Sequence, residues 1–245
     1  MVVDVAKWLN DNQGVVSLLI FLSTILLAWV TGLFSASRRR PRLKIALLEG
    51  PTLCSTFPTG EKHEGFEAHQ TGIALYLKIS NVGSAPTSID NIQLGYRWHV
   101  RPFSIVWLRY RVFWFWLRNP AITIEDFQVA IGENIKFYPS LFQRSSISGK
   151  SVNTYLQIRQ SVNSVVYFEQ SESWAGFFPT PKNGRTKMRV AVLDAFGKSH
   201  KKTLYVPVVS LEEAKKYNPS FGRSLPTARD NNRRPAETQV TPQSV

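Results

Sequence analysis

Cysteine occurs once, at Cys54, so no intrachain disulfide can form. That usage fits a reducing compartment. Acidic residues are scarce: 17 Asp and Glu stand against 30 Lys and Arg, and none lies between Asp90 and Glu125. Familiar catalytic spacings are missing as well. No serine sits in a G-x-S-x-G elbow. His63-Glu64 and Glu67-x-His69 do not form H-E-x-x-H, and Gly65 between them opposes a helix that would align them. Ser148-Gly149-Lys150-Ser151 ends like a phosphate loop, but Arg144 stands where the leading glycine is required, so a turn is expected. His99 and His200 have no assignable partner, and nothing near Cys54 in sequence would activate its thiol. A non-enzymatic protein without metal or cofactor is the expectation.

What the chain does have is one long apolar run. Val15 to Phe34 carries no charge. Twenty helical residues rise about 30 Å, the hydrocarbon thickness of a bilayer. Arg38, Arg39, Arg40, Arg42 and Lys44 follow at once, whereas residues 1–14 hold only Lys7 beside Asp4 and Asp11. The positive-inside rule puts residues 1–14 outside and everything after the span in the cytoplasm. A cleaved signal peptide is the competing reading, with Ser35 and Ser37 as small residues near a cleavage site. The weakly basic start, the length of the run and the arginine cluster behind it oppose that reading. The five cations of the 35–44 linker are expected to lie against anionic headgroups. Thr24, Ala28, Gly32 and Ala36 recur every four residues and would give the span a small-residue face for self-association or pairing with another membrane protein.

Behind the anchor the chain reads as β structure. Its hydrophobic fraction of 43% suits an anchored globular domain. Leu43–Leu48, Ile73–Ser80, Ser88–Trp98, Asn134–Tyr138, Val152–Ile158, Ser164–Glu169, Lys187–Leu193 and Lys202–Val209 read as strands. Thr52 to Gln70 reads as a polar loop. Gly197 lies between the last two strands as a hairpin turn. Leu211–Tyr217 reads as a short helix with Ser210 as N-cap and Glu213 at the capping-box position. The expected organisation is a domain over 45–217, an insertion at 97–118, and a disordered tail at 218–245. Many short strands with Gly, Asn and Pro punctuation point to an all-β sandwich.

Tyr76-Leu77-Lys78-Ile79-Ser80-Asn81-Val82-Gly83, followed by an alternating strand, resembles the N-x-G turn of immunoglobulin-like sandwich domains in bacterial membrane and surface proteins. The Asp194–Lys198 hairpin is similar to the last strands of such domains. The resemblance covers about thirty residues. It implies an immunoglobulin-like β-sandwich, adhesion or interaction roles as a class, and a bacterial inner membrane as the setting. The chain departs from that pattern where a long aromatic segment interrupts the strands.

That segment, Pro102 to Leu117, reads PFSIVWLRYRVFWFWL. It is too short for a usual span, and two central arginines would each cost about 2.5–3.5 kcal/mol at the bilayer centre. As a core strand it would put Val106, Leu108, Tyr110, Val112, Trp114 and Trp116 on one face, leaving Phe113 and Phe115 on the other with the arginines. The reading adopted is an interfacial insertion, with Arg101, Trp107, Arg109, Arg111, Trp114, Trp116 and Arg118 at the lipid headgroups. Of the +13 net charge, five positives lie in the juxtamembrane cluster and five between Arg97 and Arg118, leaving +3 for the rest. The expected function is a membrane-anchored, cytoplasm-facing interaction or membrane-complex module with an unidentified protein partner and peripheral lipid contact. The alternatives are a membrane-perturbing or membrane-sensing effector, and nucleic-acid binding, which the +3 remainder disfavours.

Overall fold

The computed structural model describes residues 7–8, 10–32, 39–100, 103–111, 114–142 and 153–223. The chain divides into two units, 1–40 and 41–245.

In the first unit, helix α1 (Gln13–Val30) is the one described helix long and apolar enough to cross a membrane. Its 18 residues rise about 27 Å. None of its side chains is buried against protein. The hydroxyls of Ser23 and Thr24 donate back to the carbonyls of Ile20 and Phe21 at 2.8 and 2.7 Å, so the polar groups are satisfied within the helix. The helix ends at Thr31, and Gly32 follows at φ +76°, the left-handed conformation that stops a helix. The small-residue stripe falls partly on this helix. Thr24 and Ala28 stand on the helix, Gly32 lies past its end, and Ala36 falls outside the described residues.

The second unit is all-β, with two short helices. Its elements are β1 (Leu43–Leu47), β2 (Leu53–His63), β3 (Phe66–Asn81), β4 (Thr87–Tyr96), α2 (Ile105–Arg111), β5 (Phe115–Leu117), β6 (Phe127–Ile131), β7 (Asn134–Tyr138), β8 (Tyr155–Leu156), β9 (Ser161–Trp174), β10 (Pro181–Lys182), β11 (Arg185–Asp194), β12 (Ser199–Pro207) and α3 (Leu211–Lys215). In the first sheet β3 is central. It pairs along one edge with β1 and then β2, and along the other with β9. In the second sheet β11 lies between β12 and β4, with β10 beside its start, and β5 and β8 add to the far edge of β4.

One apolar core joins the sheets. Ile73, Leu75, Leu77 and Ile79 of β3 alternate inward toward Ile92, Leu94 and Tyr96 of β4 and Met188, Val190 and Val192 of β11. The opposite face of the first sheet is also covered. Ala74, Val165 and Tyr167 pack there with Phe127, Tyr138, Ala214 and Phe221. Gly72 permits this closure, because a Cβ there would stand 2.6 Å from the Phe221 ring.

Three boundaries differ from the sequence reading. The expected loop at 52–70 is most of a long hairpin, β2 with the start of β3, turning at Glu64-Gly65. Its distal half is polar and exposed on both faces, so no period of two marks it. Lys44, assigned to the linker, belongs to β1 and pairs with Ser80. The folded chain also runs past 217: Asn218 and Phe221 are buried, held by Asn218 Nδ2 donating to the Glu125 carbonyl at 2.8 Å. The residues from 224 on lie outside the described chain.

Candidate functional site

Along β11 the burial alternates. Thr186, Met188 and Val190 face the core, and Arg185, Lys187 and Arg189 face outward. Beside Lys187 on β12 stands Tyr205, 56% exposed; Lys201 stands beside Ala191. On β4, Gly95 pairs with Arg189, and Arg97 continues that strand past Tyr96. Lys182 of β10 pairs directly with Arg185. The outer face of the second sheet is therefore cationic, and its cations come from four separate stretches of chain.

Aromatic rings lie among these cations. The indole of Trp114 has the Arg189 guanidinium 4.6 Å and the Arg97 guanidinium 5.3 Å from its centroid. Trp116 lies flat on Gly95, where an added Cβ would come within 3.1 Å of its ring. A groove of about 920 Å³ opens on this face, lined among others by Arg97, Trp107, Lys182, Arg185, Lys187 and Tyr205 and, among the described residues, by no carboxylate. Among the described residues no ion pair joins these cations to an acid.

Helix α2 forms one wall of the groove through Trp107. Ser104 Oγ accepts the Trp107 N–H at 3.0 Å at the start of this helix. The rest of the turn is largely exposed: Phe103, whose ring lies 5.1 Å from that of Trp107, is 85%, Ile105, which borders a second cavity, 84%, and Leu108 61% exposed. Arg109 borders a smaller cavity of about 370 Å³ beside Trp98, Trp174 and Phe177.

The structure thus splits the aromatic segment in two. The alternative of a continuous strand aligning Val106 through Trp116 on one face does not hold: Ile105–Arg111 is helical, and among the described residues of the segment Phe115–Leu117 pairs with β4. Trp107 walls the groove, Arg109 borders the second cavity, and Trp114 and Trp116 are half-buried on the sheet. Arg118 is exposed, its carbonyl accepting from Asn91 Nδ2 at 3.0 Å. Arg111 ends α2; Arg101 lies outside the described residues, as does Arg38. Arg39, Arg40, Arg42 and Lys44 are exposed. Sequence reasoning missed Lys182, Arg185, Lys187, Arg189, Lys201 and Tyr205. The signal was the alternation Arg185-x-Lys187-x-Arg189, which a whole-domain net charge averages away.

Two chemically reactive residue types serve the fold. Cys54 is 1% exposed, and burial pushes its thiol up to about 12. His200 Nδ1 accepts the Leu43 N–H at 3.3 Å, which leaves Nε2 protonated and donating to Asp194 Oδ2 at 2.8 Å. Asp194 Oδ1 accepts the N–H groups of Phe196 and Lys198, each at 3.0 Å. Burial raises the Asp194 pKa, but the bonds from His200, Lys198 and Phe196 outweigh it and hold the carboxyl below its ordinary value. No protein-family model matches the chain, and no characterised protein matches it in sequence comparison.

Proposed function

We propose that this chain is a single-pass membrane protein whose domain is an immunoglobulin-like β-sandwich working as a non-enzymatic interaction module in contact with lipid. The observation that carries the reading is the tip around α2. Phe103, Ile105 and Leu108 are three large apolar side chains exposed within six residues, with Arg109 beside them. A water-facing protein gains nothing from such a cluster, whereas a bilayer interface accepts the apolar groups and attracts the cation. Tethering by α1 raises the local concentration of bilayer around the domain, so even weak insertion is populated. The charge bias around α1 supports a cytoplasmic domain with residues 1–14 outside.

A photoactivatable phosphatidylglycerol in membranes containing the full chain tests this. After irradiation and digestion, adducts are expected on the peptide spanning 103–109 as well as on α1. Adducts confined to 13–30 would contradict lipid contact by the tip.

A further inference from the structure

We infer that the groove walled by Trp107 binds an anion carrying two phosphate groups, such as a bisphosphate lipid headgroup. The inference deepens the lipid-contact reading, yet it stands on a different observation. Lys182 and Arg185 are directly opposed in the β10–β11 ladder, and Arg97 and Lys187 line the same groove. Like charges directly across a ladder destabilise it. Among the described residues no carboxylate lines the groove to offset them. A fold that keeps this pair and gathers two further cations around the same groove is spending stability on a site for anions.

Size and spacing define the anion. Arg185 and Lys187 are two residues apart on one strand, about 7 Å. The Lys182–Arg185 pair is one cationic point and Lys187 a second, with Arg97 on the same lining, and the two points suit phosphates separated by a short carbon bridge or a ring. Arg97 and Arg185 supply planar forks for phosphate oxygens, and Lys182 and Lys187 add compact charges. Asn183, also in the lining, offers a neutral polar group for a hydroxyl between the phosphates. A volume of about 920 Å³ admits such a headgroup. Trp107 joins the groove to the exposed turn of α2, so a headgroup held here would have its acyl chains beside Leu108 and Ile105.

The test uses the full chain in uncharged detergent micelles, with tryptophan fluorescence as readout. Ligands are propane-1,3-diyl bisphosphate, propyl monophosphate, short-chain cardiolipin, short-chain phosphatidylglycerol at equal total charge, and a dT12 oligonucleotide. Both bisphosphates are expected to bind at least tenfold tighter than their monophosphate counterparts. Arg185→Gln and Lys187→Gln should each lose about tenfold, the size of one charged hydrogen bond. Lys198→Gln, at the far turn of β11, should change nothing. A preference for cardiolipin over the soluble bisphosphate assigns the ligand to lipid; equal affinity assigns it to a free anion. Equal binding of mono- and bisphosphates, unchanged binding in the two groove variants, or tighter binding of dT12 would each overturn the inference. Soluble bisphosphate binding without lipid adducts on 103–109 would leave the groove standing and remove the tip reading.

Discussion

Asp194 shows how one residue fixes a turn and ties it across the core. Its carboxylate closes the β11–β12 turn through two backbone N–H groups and holds His200, which in turn accepts from the backbone of β1. Asp194→Asn removes the charged acceptor and is expected to cost about 2 kcal/mol in urea unfolding at neutral pH. Because the folded pKa of Asp194 lies below its unfolded value, its contribution is present above about pH 4 and is lost as pH falls through the folded value. The acid side of the stability profile should therefore flatten in the Asn variant. An unchanged profile would show that other carboxylates govern acid unfolding. Gly72→Ala should cost about 1–3 kcal/mol, since the new Cβ collides with Phe221 and with the Tyr167 hydroxyl at 2.8 Å. Cys54 should resist maleimide until the chain unfolds, given its burial and its thiol near 12. Labelling of the native protein at the rate of a free thiol would contradict the packing around it. The Leu43–His200 bond, the Gly72–Phe221 contact and the packing around Cys54 are not legible in sequence, because their partners are distant along the chain. The Asp194 turn itself is legible, as a D-x-x-G-K punctuation between two strand patterns.

At the scale of elements, local pattern succeeded where one face is buried and the other wet. Strands β11 and β12, the Gly197 turn and the short helix behind Ser210 follow that rule, and Ser210 Oγ accepts the Glu213 N–H at 3.2 Å as a cap should. It failed on the distal β2–β3 hairpin, which is held by ladder bonds and buries little there. It failed differently on 102–117, where aromatic density masked a change of structure between Arg111 and Phe115. The helix half leaves its large apolar groups exposed, while the strand half lays Trp116 on a bare glycine. Replacing Phe103, Ile105 and Leu108 together with Ser should leave unfolding within about 0.5 kcal/mol per site, because exposed groups contribute little to the core. The same variant should abolish lipid adducts on 103–109. A large loss of stability would instead assign these side chains to packing.

For the whole molecule, charge acts through its arrangement rather than its sum. Removing the two obvious basic clusters leaves +3, which reads as an ordinary surface; the fold nevertheless gathers Arg185, Lys187, Arg189 and Lys201 onto one face. The C-terminal limit is also a property of the whole. Phe221 is too far from its partners Leu53 and Tyr167 in sequence to be recognised as core. A chain ending at Tyr217 should lose at least about 3 kcal/mol, as expected for removing a buried aromatic ring. The central claim is that the α2 tip enters the bilayer interface. A nitroxide at Leu108→Cys in the full chain, reconstituted in phosphatidylglycerol nanodiscs, tests it most directly. Cys54 does not compete for the label, and Phe196→Cys, in the exposed turn that follows β11, serves as the reference. The account predicts that position 108 collides with dissolved oxygen and is shielded from a water-soluble nickel chelate, while position 196 is open to the chelate. Equal chelate access at both positions would contradict it.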